Sequence, residues 1–332
     1  MPEVSVAIPV RDGGELFAGV LRALANQSVE HELVVCDSGS RDGSCELARE
    51  RGARVIEITP GLFSHGGARN ALMEAANGAH VALLTQDAEP ADARWLERLL
   101  EGFQLAADVG IVYGPYRPRP DAAQPVRIEL ERWFASLSPD GGPHVERLES
   151  HERSSPAVEL IGRRGFFTDA NACLARAAWE RVPFREVPYA EDRVLAIDML
   201  RAGYAKAFVP AAAVIHSHDY TTGEQLRRCF DEWRGLREVY GWREPVSPAR
   251  IFAQLRGVLG QARRELIHDG VPATRRGAAL TAVSRHHVVC LAGALLGSRA
   301  DRIPAVARRR LSLERRAGFA PLDFDADRSL HQ

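Results

Sequence analysis

The sequence predicts an α/β fold built on a mostly parallel sheet, followed by a helical C-terminal region. Over the first hundred residues, short apolar runs of β type alternate with stripes of helical periodicity. Strands separated by helices of this length indicate right-handed βαβ units, whose strands pair in parallel. The alternation ends after the run Val109–Tyr113, and the pattern is helical throughout from about Thr222.

The elements of the α/β part follow one another in a regular order. The run Val4–Ile8 predicts a buried first strand that Pro9 closes, and the apolar positions between Leu16 and Leu24 predict the helix after it. Further runs and stripes complete the pattern, namely strands at Leu33–Cys36, Arg54–Ile58, His80–Leu84 and Val109–Tyr113 and helices at Ser44–Arg51 and Gly66–Asn77.

The middle of the chain departs from this alternation. Residues 115–165 are rich in proline, glycine and charge, and they contain one helical stripe, at Val126–Leu137. We interpret this segment as an insertion over the sheet that contributes to a substrate pocket. The predicted domains are therefore 1–222, which includes the insertion, and a helical region 223–332.

The composition is that of an ordinary globular protein, with 45% hydrophobic and 26% charged residues. A net charge of −1 argues against a chain-wide role in binding nucleic acid. The start Met1-Pro2-Glu3 shows no signal peptide, and the longest apolar run, Val288–Gly297, is too short to span a bilayer. We therefore predict a cytoplasmic protein. The cysteines are scattered without C-x-x-C spacing, so they indicate neither a disulfide framework nor a zinc site: Cys36, Cys45, Cys173, Cys229 and Cys290.

An aspartate stands just beyond the strand His80–Leu84. Asp87 lies three residues after it, and ligands of open α/β sheets bind at the carboxyl ends of the strands. A carboxylate there, with no basic residue close in sequence, is well placed to hold a divalent cation on a phosphate. The alternative is a helix cap, a frequent role of aspartate in a turn from strand to helix.

A dinucleotide-binding oxidoreductase is one function class that this fold would suit. It requires G-x-G-x-x-G directly after the first strand, where the backbone must approach the pyrophosphate at a helix N-terminus. Here the first strand is followed by Pro9-Val10-Arg11-Asp12-Gly13-Gly14, which lacks that spacing. The sequence therefore argues against this class.

Five short motifs, in the order in which they occur, resemble glycosyltransferase family 2 with its GT-A fold. They are Ile8-Pro9-Val10-Arg11, Asp37 to Ser44, Gly66-Gly67-Ala68-Arg69-Asn70, Asp87 and Glu191-Asp192. The segments Phe63–Asn70 and Leu84–Ala88 are similar to the bacterial rhamnosyltransferases of that family. The resemblance covers about Val4 to Tyr220. It implies an enzyme that moves a sugar from a dTDP or UDP type of nucleotide diphosphate to a hydroxyl acceptor, with Mg²⁺ or Mn²⁺ as cofactor.

The resemblance assigns the donor side of the site. Pro9, Val10 and Arg11 would lie along the base and ribose, and Asp37 would accept the imide N–H of a pyrimidine, a hydrogen bond that rejects cytosine. The alternative for Asp37 is a turn cap. The remaining residues predicted to bind the nucleotide-sugar are Gly66, Gly67, Arg69, Gln86 and Asp87.

The physical roles of these donor-side residues differ. Arg69 would face the diphosphate, where a guanidinium fork suits phosphate oxygens, or else it is a solvent-facing helical arginine. Gly66 and Gly67 would let the backbone pass close to the nucleotide, or else they form a flexible lead into a helix.

The metal site departs from the family pattern. Asp87 takes the place of the last acid of D-x-D, but Thr85 stands where the first carboxylate is usual. Mg²⁺ commonly uses one or two protein ligands with phosphate and water, so the resemblance adds His216 as a metal ligand. His218, which would lie roughly 6.5 Å away on the same face of a strand, would bind phosphate or acceptor. A metallohydrolase built on His-x-His-Asp is the rival interpretation, and the second histidine cluster that it needs is absent nearby.

The pair Glu191-Asp192 opens a predicted helix after Pro188. The simplest interpretation is a favourable helix-dipole position. The resemblance instead makes Asp192 the base that deprotonates the acceptor, with Glu191 orienting it or binding acceptor hydroxyls, and it places Asp169 and Asn171 against the acceptor. Direct attack opposite the leaving group predicts inversion at the anomeric carbon.

Two questions stay open at this stage. Between Arg250 and Arg316 there are 14 arginines against four acids, which fits either peripheral contact with the inner face of an anionic membrane, for example at a lipid-linked acceptor, or a helical appendage that packs on the catalytic domain or forms a homodimer. The missing first acid also leaves room for a non-catalytic module that binds nucleotide-sugar or carbohydrate on a degenerate GT-A fold.

Overall fold

The computed structural model describes residues 3–59, 63–160, 162 and 164–322. The strands are β1 Val4–Val10, β2 Glu32–Asp37, β3 Arg54–Glu57, β4 His80–Leu84, β5 Glu89–Pro90, β6 Val109–Tyr113, β7 Tyr116–Arg117, β8 His144–Glu146, β9 Asn171–Ala175, β10 Ala205–Phe208 and β11 Val214–Ile215. The helices are α1 Gly14–Leu24, α2 Ser44–Glu50, α3 His65–Ala75, α4 Trp95–Glu101, α5 Gln124–Leu137, α6 Arg176–Arg181, α7 Glu191–Arg201, α8 Thr222–Tyr240, α9 Pro248–His268, α10 Ala273–Gly297 and α11 Ala305–Leu311.

Eight strands form one sheet in the order β3-β2-β1-β4-β9-β6-β10-β8, and three more form a small sheet in the order β5-β11-β7. In the large sheet β3, β2, β1 and β4 pair with one another in parallel, and β6 pairs in parallel with β10. Strand β9 lies antiparallel between β4 and β6, and β8 is an antiparallel edge. The prediction of a mostly parallel α/β sheet is confirmed.

The first strand is longer than predicted. It continues through Pro9 to Val10, and these two residues pair with Cys36 and Asp37 of β2. On its other side β1 pairs with β4 only from Val4 to Ala7. At Pro9 the strand therefore has a neighbour on one side, a position that tolerates a residue without an N–H.

Helices on the sheet bury most of the apolar stripe predicted for α1, although Leu16 of that stripe is 47% exposed, and they bury the apolar face of α4, a helix that the sequence analysis did not predict. Phe17, Val20 and Leu24 of α1 and Trp95 and Leu99 of α4 are at most 2% exposed. They pack in one cluster with strand residues such as those of β1 and β4. This packing fixes the carboxyl ends of the parallel strands, where the polar residues of interest lie.

The contacts among residues divide the chain into two compact units, 1–119 with 131–217 and 120–130 with the chain from His218. In the second unit α8 packs along α10, and α9 packs on α10. Ile128 joins Val258, Ala262 and Val283 in a small buried cluster there. The predicted domains 1–222 and 223–332 remain a prediction, because a division by contacts does not show that either part folds alone.

One helix among the described residues, α10, is long and apolar enough to cross a membrane by length and composition. Its most apolar window has a mean hydropathy of 1.4 and is 17% buried. The prediction that no segment could span a bilayer rested on the run Val288–Gly297 alone. Because the helix begins at Ala273 and has 25 residues, the length of that run does not exclude a span.

Candidate active site

The ends of β1 and β4 are tied together by a glutamine. Gln86 Oε1 accepts a hydrogen bond from Arg11 N at 2.7 Å, and its Nε2 donates to Arg11 O at 3.2 Å. The amide of Gln86 is thus committed to the backbone of Arg11, while the Arg11 side chain is exposed. Contacts of Arg11 and Gln86 with a nucleotide stay predictions. Gln86 also links the segment after β4 to the backbone at the end of β1.

Val10 does not fit its predicted place beside the nucleotide. Its side chain is 2% exposed and belongs to the core under the sheet, so the prediction is wrong for that side chain. Pro9 is partly exposed and remains a candidate. Just beyond, Asp12 adopts a left-handed conformation with φ 47°, which is uncommon for a residue other than glycine and is held here by hydrogen bonds to Ser40 and Arg41.

Asp37 ends β2 and holds its own turn. Its carboxylate accepts hydrogen bonds from Gly39 N at 2.9 Å, from Ser40 N at 3.1 Å and from Ser40 Oγ at 2.5 Å. Burial raises the pKa of Asp37, but the bonds from Ser40 and Gly39 outweigh it and lower the pKa overall. The turn-cap alternative is therefore correct as a description of the free protein, and recognition of a pyrimidine by the same carboxylate stays a prediction.

Helix α3 starts where glycine is required by packing. Ser64 caps it by accepting from Gly67 N at 3.0 Å. A Cβ at Gly66 would collide with the carbonyl oxygen of Arg185, and one at Gly67 would lie 2.7 Å from Ser64 Oγ. The close approach at Gly66 is thus to the protein's own segment around Arg185, and this corrects the expectation that both glycines make room for a nucleotide.

Arg69 of α3 turns inward. Its Nε donates to Asp169 Oδ2 at 2.8 Å and its Nη1 donates to Leu84 O at 2.9 Å. The Arg69 and Asp169 side chains are 4% and 10% exposed. The solvent-facing alternative for Arg69 is wrong, because the side chain is buried, and its contact with a diphosphate stays a prediction. The helix instead delivers a buried cation that pairs with Asp169, which had been expected to touch the acceptor.

Asp87 and His216 meet at the carboxyl end of β4. His216 Nδ1 lies 3.5 Å from Asp87 Oδ1, and the two side chains are 12% and 14% exposed. The main chain of each is also fixed, since Asp87 O accepts from Arg119 at 2.6 Å and His216 N donates to Arg117 O at 2.9 Å. The buried hydroxyl of Thr85 has no hydrogen-bond partner among the described residues.

His218 is the first residue of the second unit. Its side chain is exposed, and its ring stacks on Tyr220 at 5.5 Å between centroids. Its predicted contact with phosphate or acceptor stays a prediction.

The pair Glu191-Asp192 forms the first turn of α7, as predicted. Glu191 is buried, whereas Asp192 is partly exposed, which agrees with the rotation of about 100° between neighbouring helical residues. Ala190 before them is left-handed, with φ 61°, and gives the helix no side-chain cap. A strained residue of this kind persists where the surroundings fix it, often at functional sites.

Three acids share this corner of the molecule. Burial, and then the charge of Asp169, raise the pKa of Asp192 to about 7. Burial, and then the charges of Asp169 and Asp192, raise the pKa of Glu191 well above its ordinary range. His65 Nδ1 lies 4.0 Å from Glu191 Oε1. The arrangement supplies a carboxylate that can accept a proton near neutral pH.

Tyr116 links the acids, and no pattern in the sequence indicated it. Its hydroxyl hydrogen-bonds Thr168, and its ring packs on His216 at 4.8 Å between centroids. Burial raises the pKa of Tyr116, and the charges of Asp192, Asp169 and Asp87 raise it further. The charges of Asp87 and Asp192 therefore both act on the hydroxyl of Tyr116, whose ring packs on the predicted metal ligand His216.

Asn171 is a structural residue. It is fully buried at the start of β9, its Oδ1 accepts from Trp95 Nε1 at 2.8 Å, and its Nδ2 donates to Pro115 O and Ala212 O. Both polar atoms are used and no surface remains, so the prediction that Asn171 contacts an acceptor is wrong.

Comparisons of the sequence with known proteins find a matching family model and similar proteins. The sequence model of glycosyl transferase family 2 matches residues 5–156. The O-antigen chain rhamnosyltransferase RfbN of Salmonella typhimurium is 30% identical over 235 residues, which cover 69% of this chain and 71% of that protein. The glycosyltransferase AglE of Haloferax volcanii is 36% identical over 267 residues, covering 76% of this chain and 79% of that one.

Solved structures share the fold at lower identity. The mannosyltransferase PcManGT from Pyrobaculum calidifontis, in complex with GDP-Man and Mn2+, has a TM-score of 0.57 at 19% identity and covers 91% of this chain and 86% of its own. S. aureus TarS 1-349 in complex with UDP has a TM-score of 0.50 at 13% identity, covering 91% and 92%. These likenesses confirm the predicted GT-A fold with additional C-terminal helices.

Proposed function

The chain belongs to glycosyl transferase family 2 and is a rhamnosyltransferase-like glycosyltransferase, and on this premise we propose that it is an inverting, metal-dependent enzyme that transfers L-rhamnose from dTDP-rhamnose. The matching Salmonella relatives are O-antigen chain rhamnosyltransferases, which supports rhamnose as the sugar and polysaccharide biosynthesis as the context. The acceptor is then a hydroxyl of a saccharide or of a lipid-linked glycan.

One observation carries the chemistry: Asp192 has a pKa raised to about 7 and stands partly exposed at the N-terminus of α7. A sugar hydroxyl is a poor nucleophile until its proton can leave, and a base with a pKa near the working pH is best matched to take it. The proton passes from the acceptor oxygen to an Asp192 carboxylate oxygen while that acceptor oxygen bonds the anomeric carbon and the diphosphate departs. A single displacement of this kind inverts the anomeric configuration.

Glu191 acts beside this base without replacing it. Burial and the neighbouring acids raise the pKa of Glu191, which favours its protonated form. A protonated carboxyl can donate a hydrogen bond to an acceptor hydroxyl. Asp169 contributes through charge, because it lies close enough to raise the pKa of both residues while Arg69 neutralises part of its effect.

The donor set at Asp87 and His216 fits a divalent cation on a diphosphate. A carboxylate and an imidazole converge with Oδ1 and Nδ1 3.5 Å apart, and Thr85 offers a buried hydroxyl that lacks a partner among the described residues. Oxygen and imidazole ligands suit Mn²⁺, and Mg²⁺ accepts one or two protein ligands with phosphate. When bound, the cation would offset the charge of the departing diphosphate. His218, two residues after His216 in the chain, is the next candidate ligand.

The pyrimidine nucleotide is proposed to lie along Pro9 and Arg11 with its base near Asp37. The hydrogen bonds from Ser40 and Gly39 hold that carboxylate in place and lower its pKa, and a fixed acceptor discriminates well between an imide N–H and the unprotonated N3 of cytosine. The mannosyltransferase PcManGT, whose fold is similar, was solved in complex with the purine nucleotide-sugar GDP-Man, so the donor test must include a guanine nucleotide-sugar.

We also propose peripheral contact with the inner face of an anionic membrane through the basic C-terminal helices. Phe252 of α9 is 68% exposed and Arg256 beside it on the same helix is exposed. An apolar anchor with arginines around it is typical of helices that lie on anionic lipid. A homodimer through this surface is the competing outcome.

The proposed activity is tested by supplying dTDP-L-rhamnose, UDP-glucose and GDP-mannose separately with Mn²⁺ and a lipid-linked glycan acceptor. Release of dTDP with an acceptor product of inverted anomeric configuration, read by NMR, supports the proposal. Transfer from GDP-mannose alone would contradict the assigned donor. Nucleotide binding without transfer from any donor would support the alternative of a non-catalytic binding module, which the presence of Thr85 at the first D-x-D position leaves open.

A further inference from the structure

A second cluster of metal-type side chains lies wholly within the helical unit. The cluster consists of Glu129 on α5 and of His286 and Cys290 on α10. Each residue offers one ligand atom, and these three atoms all lie within 4.8 Å of one another. His286 Nε2 is 2.7 Å from Glu129 Oε2. Nothing in the proposed transfer reaction uses these residues.

A second thiol adjoins the cluster. Cys229 of α8 is 7% exposed, and its side chain is hydrogen-bonded to that of Cys290. The two helices approach closely here, since a Cβ at Gly293 would lie 2.6 Å from Cys229 Cβ. Gln225 Nε2 donates to both sulfurs, at 3.4 Å to Cys229 and 3.2 Å to Cys290. Outer contacts of this kind orient the ligands in metal sites.

The side chains have the spacing and the chemistry of a zinc site. His286 and Cys290 are four residues apart on one helix, so they share a face. Zinc bonds of roughly 2.0–2.3 Å place neighbouring tetrahedral ligand atoms about 3–4 Å apart, and the ligand atoms of Glu129, His286 and Cys290 lie within 4.8 Å of one another. Thiolate with imidazole and carboxylate selects zinc over Mg²⁺ or Ca²⁺, which require oxygen ligands.

We propose that Glu129, His286 and Cys290, with Cys229 as the fourth ligand, form a structural Zn²⁺ site in the helical unit. Sequence spacing did not indicate it, because the two cysteines are 61 positions apart and only the packing of α8 on α10 unites them. Four protein ligands leave no open position, which is the pattern of structural rather than catalytic zinc.

The site would fasten the segment 120–130 to the helical unit to which it belongs. That segment is far in sequence from the rest of its unit, and its described apolar anchor is Ile128 in a cluster of four buried residues. Glu129 is the next residue, and its side chain is 57% exposed. A bond from Glu129 to zinc would hold α5 to the other helices of the unit at a position where the burial of apolar side chains adds little stability.

The test is the zinc content of the full-length protein purified without added metal, measured by mass spectrometry and by titration into the metal-free protein. We expect one zinc per chain. Cys290→Ser and His286→Ala should weaken zinc binding by more than the roughly 10- to 100-fold that loss of an outer contact causes. Cys173→Ala and the exposed His268→Ala are the controls and should keep the metal.

Two further measurements distinguish this site from metal at the active site and from a disulfide. His216→Ala should retain zinc, because His216 lies outside the proposed site. Loss of zinc in this variant would place the metal at the active site instead. Cobalt in place of zinc should give a sulfur-to-cobalt charge-transfer band that Cys290→Ser weakens and that Cys229→Ser with Cys290→Ser abolishes. Failure of the metal-free, reduced protein to take up zinc, a Cys229–Cys290 disulfide in the purified protein, or rapid alkylation of Cys290 in saturating zinc would overturn the proposal.

Discussion

Arg69 Nε donates to Asp169 Oδ2 at 2.8 Å, and both side chains are buried. Asp169 raises the pKa of Asp192, whereas Arg69 lowers it. The two charges of the pair therefore act in opposite directions on the proton affinity of the proposed base. Removing one partner leaves the other buried and uncompensated, at a cost of about 3–5 kcal/mol in comparable buried pairs.

The first prediction concerns pH. Asp192 must be ionised to accept a proton, and its pKa is raised to about 7, so kcat/KM should rise as pH increases through about 7. Asp169→Asn removes a negative charge and leaves Arg69 unopposed, and both effects lower the pKa of Asp192. The acid limb of the profile should move to lower pH in this variant. Asp140→Asn, in an exposed turn, is the control, and a limb that moves upward would refute the assignment.

The second prediction concerns the cation. Asp87→Ala and His216→Ala should weaken nucleotide binding in the presence of Mn²⁺ but leave it unchanged in excess chelator, because only the metal-dependent part passes through these side chains. Isothermal titration with dTDP measures both conditions. His151→Ala, an exposed histidine in the same unit, should behave as the wild type. Full turnover in excess chelator would remove both residues from a metal role.

The third prediction concerns the base of the donor. dTDP and UDP should raise the melting temperature more than CDP or GDP. Asp37→Asn should flatten this ranking, since an amide N–H can donate to N3 of cytosine where the carboxylate accepts from the imide. Asp42→Asn is a matched control, because Asp42 also holds a turn, through Gly14 and Ser44. Equal shifts for all four nucleotides in the wild type would contradict recognition by Asp37.

The fourth prediction concerns membranes. Binding to vesicles that contain anionic lipid should fall as salt increases, and Arg256→Glu with Phe252→Ser should weaken it by at least about fivefold, since each arginine near such a surface contributes about 1 kcal/mol. Leu16→Ser, at an exposed leucine of α1, is the control. Loss of a dimer in light scattering with unchanged vesicle binding would assign the surface to a second copy of the chain.

The sequence predicted the parts of the fold that depend on local pattern. The alternation of runs and stripes placed β1 to β4 and α1 to α3 within a few residues, because burial on a parallel sheet dictates apolar composition. It also placed Asp87 after β4 and Glu191 with Asp192 in the first turn of α7, since these positions follow directly from the ends of predicted elements.

What depends on tertiary packing was not predictable. The inward turn of Arg69, the burial of Asn171 and Val10, and the contact that requires Gly66 all arise from chain segments far apart in sequence. No sequence pattern indicates Tyr116, because the three acids whose charges act on its hydroxyl lie far apart in the sequence. The resemblance identified which residues gather at the site but not which of them support it from within the protein.

Transfer depends above all on Asp192 as the base. We expect Asp192→Asn to lower kcat by about 10² to 10⁴, the usual contribution of general-base assistance, with donor binding unchanged and Glu191→Gln acting mainly on acceptor KM. Because ionised Asp192 destabilises the folded state above its raised pKa, the variant should be at least as stable as the wild type at pH 8.

The most direct measurement is single-turnover transfer from saturating donor by Asp192→Asn at pH 8, together with its dTDP affinity. We expect a rate reduced by at least about 10² with wild-type affinity. A near-normal rate, or a loss of nucleotide binding that parallels the loss of rate, would contradict the role of Asp192 as the base.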